Sequence, residues 1–157
     1  VKTISQTDPA SKMQRPMELA LRLLAYKFFP YDGKLDAQDF INAAMIDMME
    51  KKIHKSGVEL DFVNAFRLFA DALGKDSFRK YSGNKFSGAF SLAAFETAAY
   101  GVLVNIADIN DNGKFDLVAK VKDMWSHPIF VRNSGSGVRA TSRLSKLLPL
   151  GKELFQN

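Results

Sequence analysis

The stretch RPMELALRLLAYKFFPYDG, residues 15–33, decides the fold class, because its pattern predicts a long amphipathic helix. Apolar residues recur there at three- and four-residue steps, the spacing that puts side chains on one face of an α-helix. The predicted face consists of Met17, Ala20, Leu21, Leu24 and Phe28. Three neighbours widen it: Leu19, Leu23 and Ala25. Such a wide apolar surface is typical of a mostly buried helix, and Pro30 is expected to end it.

Helical spacing continues along the rest of the chain. Further helices are expected at about residues 36–55, 59–73, 86–105, 115–125 and 139–147. Asp36 suits the N-cap position of the second helix, and the last helix is expected to break near Pro149. No alternating strand pattern is longer than three or four residues. We therefore predict an all-α, single-domain bundle of five to six helices over residues 1–157, with residues 1–12 as a flexible leader.

The composition excludes several classes of protein. A length of 157 residues suffices for one hydrophobic core, and thirteen Phe against one Trp predict that phenyl rings pack much of it. The absence of cysteine excludes disulfides, thiolate metal sites and cysteine nucleophiles. No apolar run approaches the roughly 20 residues of a membrane span. We expect a cytoplasmic protein with no membrane partner and, because the chain opens on Val1 rather than Met, a fragment of a longer protein.

The net charge of +5 is unevenly distributed. Residues 1–119 hold 15 basic and 15 acidic side chains, whereas residues 120–157 hold seven basic and two acidic ones. The whole excess therefore lies in the last quarter of the chain. A field of that sign suits a polyanion such as nucleic acid. The alternative is a solvated basic face on a terminal helix.

One stretch of this basic segment combines the groups that bind phosphate. A Ser/Gly loop at residues 133–137 leads into a helix, and backbone N–H groups at a helix start bind anions. Hydroxyl and basic side chains surround it, as in contacts to a nucleic-acid backbone. The candidate nucleic-acid-binding residues are Arg132, Arg139, Thr141, Ser142, Arg143 and Lys146. Arg139 and Arg143 are four apart and are predicted to share a face. The alternative is a capped surface helix with ordinary solvated charges.

A weaker motif lies at residues 108–116, which read DINDNGKFD. It matches the first half of an EF-hand calcium loop. The candidate ligands are Asp108, Asn110, Asn112 and Asp116. The twelfth position, which should supply a bidentate Glu, is Ala119, so calcium affinity should be low. The alternative is a polar connection between helices, in which Asp and Asn cap and turn the chain.

The sequence contains no recognisable catalytic motif. The two histidines, His54 and His127, lie far apart with no clustered carboxylates beside them. Phosphate-binding loops, nucleophile elbows and HExxH pairs are all absent. We therefore predict no catalytic residue, no metal site beyond the weak calcium candidate and no cofactor.

Several segments, in this order, resemble the C-terminal helical region of the GmrSD-type restriction family, whose N-terminal domain is ParB/sulfiredoxin-like and carries a D-G-Q-Q-R motif. The matching pieces are MELALRLLAYKFFPYDG at 17–33, DFINAAM at 39–45, the Phe78-Arg79 pair after Gly74, FSLAAFETAAY at 90–100, and the serine-rich turn before the helix with Arg143. Together these pieces cover nearly the whole chain.

The resemblance implies a role in prokaryotic DNA restriction or antiphage defence. Nucleotide hydrolysis in the family is attributed to the D-G-Q-Q-R domain, and that motif is absent here, as is an HNH nuclease module. The chain would then be a helical accessory portion, catalytically silent alone, with the D-G-Q-Q-R domain of the same protein and DNA as partners. A structural or protein-interaction module with no nucleic-acid role is the alternative.

Overall fold

The computed structural model describes residues 15–51, 57–111 and 113–157, and within them the fold is mostly helical with one small sheet. The helices are α1 (Arg15–Phe28), α2 (Ala37–Glu50), α3 (Val58–Ala72), α4 (Leu92–Ala94), α5 (Tyr100–Val104), α6 (Ile106–Asp111), α7 (Leu117–Ser126), α8 (Pro128–Asn133) and α9 (Ala140–Leu154). A 3-10 turn spans Gly74–Asp76, a π-helical turn spans Phe95–Ala99, and the strands are β1 (Arg79–Ser82) and β2 (Lys85–Phe90). The mostly helical prediction is confirmed, whereas the count of five to six helices and the absence of strands are wrong.

The first three helices lie where the sequence predicts them. Helix α1 ends just before Pro30, and the side chain of Asp36 caps α2 by accepting the backbone N–H groups of Gln38 and Asp39. These bonds satisfy two of the amide groups that the first turn of a helix leaves free. Helix α3 buries Ala65 and Phe69 against the core. Strong periodicity and a matching cap therefore determine this part of the fold.

The predicted buried face of α1 is rotated from the observed one. The residues buried by this helix are Leu19, Leu23, Ala25 and Tyr26. Met17, which the periodicity predicts on the buried face, is 67% exposed. The buried stripe follows i, i+4 and i+7 spacing through Leu19, Leu23 and Tyr26. Arg22 lies next to this stripe on the same helix. The wide apolar surface of this helix offered two possible stripes, and tertiary contacts select between them.

Residues 79–90 form a β-hairpin, and its second strand lies where the sequence predicts the start of a helix. Gly83 and Asn84 occupy the turn with φ angles of 57° and 63°. Positive φ at both central positions matches the right-handed twist of the flanking strands, as in a type I′ turn. The strands are too short for their alternation to stand out from the helical background, which explains the wrong prediction.

Helix α9 continues through Pro149 to Leu154, so the predicted break is absent. Proline removes one backbone hydrogen bond from a helix, and the apolar residues on both sides of it anchor this helix in the core. Gly101 of α5 faces Gly151 of α9, and a Cβ added to either glycine would overlap backbone of the opposite helical rod. The two helices therefore cross with their backbones in contact. Asn105 connects them, because its side-chain amide donates to the backbone carbonyls of Gly101 and Lys152.

The main core lies around the continuous helical run from α4 through α5. Phenyl rings dominate one side of it: Phe69, Phe78 and Phe95 are fully buried, and Phe78 contacts the other two. The composition predicts this packing of phenyl rings, and the buried Phe78 anchors the segment after α3. A second, smaller cluster joins α1, α2 and α9. The two clusters meet at Tyr100, which packs against both.

Some predictions fall on residues that the structure does not describe. They are the predicted leader over residues 1–12, the end of the predicted second helix with His54, and the candidate ligand Asn112. Among the helices of the described residues, none has the length and apolar character to cross a membrane.

Candidate functional site

The predicted nucleic-acid-binding residues lie along α8, the following loop and the first half of α9. Arg132 is exposed in the last turn of α8. Arg139 is exposed at the N-cap position of α9, and its side chain makes no capping hydrogen bond. Ser142 and Lys146 lie one helical turn apart on the exposed side of α9, and Thr141 is half-buried. Apart from Arg143, the candidates thus lie at the end of α8, at the N-cap of α9 or in the first half of α9.

Three cations of this group have no carboxylate partner among the described residues. Arg132, Arg139 and Lys146 take part in none of the ion pairs found there. The side chain of Arg139, the N-cap residue, makes no hydrogen bond to the backbone N–H groups in the first turn of α9. Helix starts carry a partial positive charge, so these amides add to the field of the arginines. We call this surface, made of Arg132, Arg139, Ser142 and Lys146, the basic end.

Arg143, the sixth candidate, points into the protein. Its Nε donates to Oε2 of Glu96 at 2.9 Å, and only 15% of its side chain is exposed. The prediction that Arg139 and Arg143 present one shared binding face is therefore not met by this geometry. The reason is the position of Leu144, Leu147 and Leu148, which turns the flank of α9 that carries Arg143 toward the core. Arg143 is a structural residue, and the basic end lacks it.

Glu96 is the centre of a buried charged cluster that the sequence analysis missed. It lies on the π-helical turn with no exposed surface. Its Oε1 accepts from Arg22 Nη1 at 3.4 Å and from the Tyr26 hydroxyl at 3.4 Å, while its Oε2 faces Arg143. On the exposed side of the cluster, Oε1 of Glu18 accepts a hydrogen bond of 2.9 Å from Nη2 of Arg22. We call Arg22, Tyr26, Glu96 and Arg143 the buried cluster.

The electrostatics of the buried cluster favour a fixed charge arrangement. Burial raises the pKa of Tyr26, and the negative charge of Glu96 raises it further. For Arg22, burial alone would lower the pKa, but the hydrogen bond to Glu18 and the neighbouring Tyr26 and Glu96 outweigh it, so the pKa is raised. Arg22 therefore stays a cation and Tyr26 a neutral hydroxyl over the whole physiological pH range.

The buried cluster connects three separate parts of the chain. Arg22 belongs to α1, Glu96 to the π-helical turn and Arg143 to α9. A buried carboxylate between two guanidinium groups is stable only when the geometry satisfies its lone pairs. This arrangement specifies how the three helical elements sit on one another, and it uses both carboxylate oxygens in doing so. One feature of the sequence indicates this cluster: Glu96 is the only acidic residue within the apolar run from Phe90 to Ile106.

The EF-hand-like stretch is divided between helices. Asp108 and Asn110 lie on α6, where the motif requires a loop. The side chain of Asp116 accepts the backbone N–H of Ala119 and caps α7. The alternative interpretation, a polar connection that caps and turns, therefore describes these residues better. Among the described residues, no group of three His, Cys, Asp or Glu side chains is arranged to hold a metal ion.

Comparisons of this chain with protein-family models, with curated proteins and with solved structures gave no match.

Proposed function

We propose that this chain is the helical accessory part of a prokaryotic DNA restriction or antiphage protein, and that its basic end binds the backbone of DNA. The resemblance of its ordered segments to the GmrSD-type family suggests the biological setting. The D-G-Q-Q-R domain of the same protein is the proposed partner, and catalysis would belong to that domain.

The observation that carries the DNA-binding proposal is the set of unpaired cations at the basic end. Arg132, Arg139 and Lys146 are exposed and without carboxylate partners in the part of the chain that the structure describes. Elsewhere, two exposed lysines are already paired, Lys34 with Asp32 and Lys51 with Asp47. Cations that are free of carboxylates can displace the counterions of a phosphate backbone without first breaking a pair.

The chemistry of the basic end favours backbone contact over base recognition. Arginine binds phosphate through two parallel N–H donors, and lysine binds it as a point charge. The amides at the start of α9 and the Ser142 hydroxyl can donate to the same phosphate oxygens. Contacts of this kind position a protein on DNA but carry no sequence information. We therefore expect binding that is weakly dependent on sequence and strongly dependent on salt.

A gel-shift titration with a labelled DNA duplex at low salt tests the proposal. We expect wild-type protein to shift the duplex and the double variant Arg139→Glu/Lys146→Glu to lose most of that binding. The matched control is Lys34→Glu/Lys51→Glu, which changes the charge equally at two exposed lysines on the other half of the chain. Absence of any shift by wild-type protein at low salt would remove the DNA-binding role.

Exposed apolar side chains on α2 and α3 support a second candidate function, that of a protein-interaction module. Ile46, Met49 and Leu60 are each more than half exposed. A groove of about 450 Å³ at the start of α2 is lined partly by Leu35 and Phe40. Apolar surface of this kind is typical of interaction sites. Calorimetric titration with the proposed partner domain, compared between wild type and Ile46→Ser/Met49→Ser, would show whether this surface binds it.

A further inference from the structure

The β-hairpin presents a second basic surface far along the chain from the basic end. Exposed and half-buried side chains alternate over residues 80–82 and 85–87, and the exposed positions there are Lys80, Ser82, Lys85 and Ser87. Lys80 pairs across the sheet with Ser87, and Ser82 pairs with Lys85. This outer face therefore consists of two lysines and two hydroxyls, with no acidic and no apolar side chain in those four positions.

The opposite face of the hairpin holds it against the body of the protein. The rings of Tyr81 and Phe86 contact each other across the strands in a tilted arrangement, with their centroids 4.9 Å apart. Lys122 of α7 lies over the Tyr81 ring, 5.2 Å from its centroid. At the base, the Phe90 ring packs on the buried Phe78. The two lysines of the outer face are thus carried on a ribbon that two aromatic contacts and one cation–π contact stabilise.

Neither lysine of the outer face has a carboxylate partner among the residues described. Lys80 and Lys85 are exposed and take part in none of the ion pairs found there. Of the nearby acidic groups, Asp76 pairs with Arg79 at 3.5 Å, whereas Asp123 lines a cleft together with Ser82 and Lys122. The four outer-face positions themselves carry two positive charges and no negative one.

We propose that the outer face of this hairpin is a second contact site for the phosphate backbone of duplex DNA. A two-stranded ribbon is narrow enough to enter the major groove or to lie along its edge, and hydroxyl and ammonium groups are among the donors that bind phosphates. A continuous series of helix contacts leads from the hairpin to the basic end, because α7 packs on β1 and α8 packs on both α7 and α9. The inference rests on the proposed DNA binding and extends its footprint to a second element.

A competing explanation of the two lysines is protection of the sheet edges. A two-stranded sheet leaves backbone groups of both strands free, and lysines on edge strands oppose association with other chains. That role predicts self-association when the lysines are replaced, with no effect on DNA affinity. The two explanations are therefore distinguishable by experiment.

The test measures how the DNA affinity of the protein depends on salt concentration. Each phosphate that a cation neutralises contributes about 0.9 to the slope of log K against log salt. We expect Lys80→Gln/Lys85→Gln to make this negative slope shallower, with a magnitude about 1.8 smaller than that of wild type. The matched control, Lys34→Gln/Lys51→Gln, removes the same charge and should leave the slope unchanged. Circular dichroism of each variant verifies that its helical content is retained.

Three other results would overturn the inference in different ways. An unchanged slope for the hairpin variant, with a lowered slope for Arg139→Gln/Lys146→Gln, would restrict DNA contact to the basic end. Self-association of the hairpin variant with an unchanged slope would assign the lysines to edge protection. Absence of DNA binding by wild-type protein would remove the proposed function together with this inference.

Discussion

Arg143 of α9 and Glu96 of the π-helical turn form an ion pair of 2.9 Å, although 47 residues separate them in the chain. The pair removes from the predicted DNA-binding set one arginine that the sequence pattern places there. It also shows what a π-helical turn does here, since this turn places a carboxylate where two helices can reach it. Such turns are often found at special positions in proteins.

Replacing Glu96 by Gln should destabilise the protein strongly. The substitution keeps the shape of the side chain but leaves the guanidinium groups of Arg22 and Arg143 without their buried counter-charge. Breaking a buried pair in this way costs about 3–5 kcal/mol. Urea unfolding followed by circular dichroism measures the change. Glu18→Gln is the control, because its half-exposed pair with Arg22 should contribute only about 0.3–0.5 kcal/mol.

Substitutions of Arg143 and Arg139 should have opposite effects, one on the stability of the protein and the other on its DNA affinity. We expect Arg143→Gln to lower the free energy of unfolding by about 3 kcal/mol, since Glu96 then loses a buried partner. We expect Arg139→Gln to change it by less than about 0.5 kcal/mol, because the side chain is exposed. The effects on DNA affinity should be reversed, with a loss for Arg139→Gln only. Equal losses of affinity for the two folded variants would contradict the assignment of Arg143 to a structural role.

Gly101→Ala provides a test in which two physical effects have opposite signs. Within a helix, replacing Gly by Ala normally stabilises by about 0.5–1 kcal/mol. At this crossing the added Cβ would overlap backbone of Gly151 and lie 2.8 Å from Cδ2 of Phe155. We expect the overlap to dominate, with a net loss of about 1–3 kcal/mol. Gly137→Ala is the control, because nothing lies within 4 Å of the added carbon there.

Tyr26 should make the protein sensitive to alkaline pH. Its pKa is raised in the folded state by burial and by Glu96, whereas in the unfolded chain it is about 10. The stabilisation is therefore fully present below about pH 10 and is lost as the pH rises above that value. One proton corresponds to a slope of about 1.4 kcal/mol per pH unit. Burial also raises the pKa of Tyr100, which adds to the same trend.

The variant Tyr26→Phe isolates that contribution. Urea unfolding between pH 8 and pH 11 should show a shallower decline for the variant than for wild type, because the phenol that resists ionisation is absent. Identical slopes for the two proteins would show that Tyr26 does not titrate differently in the folded and unfolded states.

The sequence predicts those parts of the fold in which local signals agree with tertiary packing. Helix α2 is the best example, since Asp36 marks its start and apolar periodicity continues behind it. The hairpin was missed because its strands are short, although its Ser82-Gly83-Asn84 loop is visible in the sequence. The crossing of Gly101 and Gly151 cannot be predicted from one sequence, because fifty residues separate the two positions and neither carries a side chain that signals contact.

The candidate site was predicted in part for the same reason. Exposed cations near a helix start are a local pattern, so Arg132, Arg139 and Lys146 were identified from the sequence. The buried cluster joins residues that are 47 and 74 positions apart from Glu96. No local pattern distinguishes Arg143, which is mostly buried, from Arg139, which is exposed. Only the packing of the leucines of α9 decides which arginine faces solvent.

The most direct test of the account is the equilibrium affinity of wild-type protein for a fluorescently labelled duplex, measured by anisotropy over a series of salt concentrations. We predict that log K falls linearly with log salt, and that Arg139→Gln/Lys146→Gln lowers the slope by about 1.8 because two phosphate contacts are lost. An affinity that does not change with salt, or no binding at the lowest salt concentration, would contradict the claim that the basic end of this chain holds DNA.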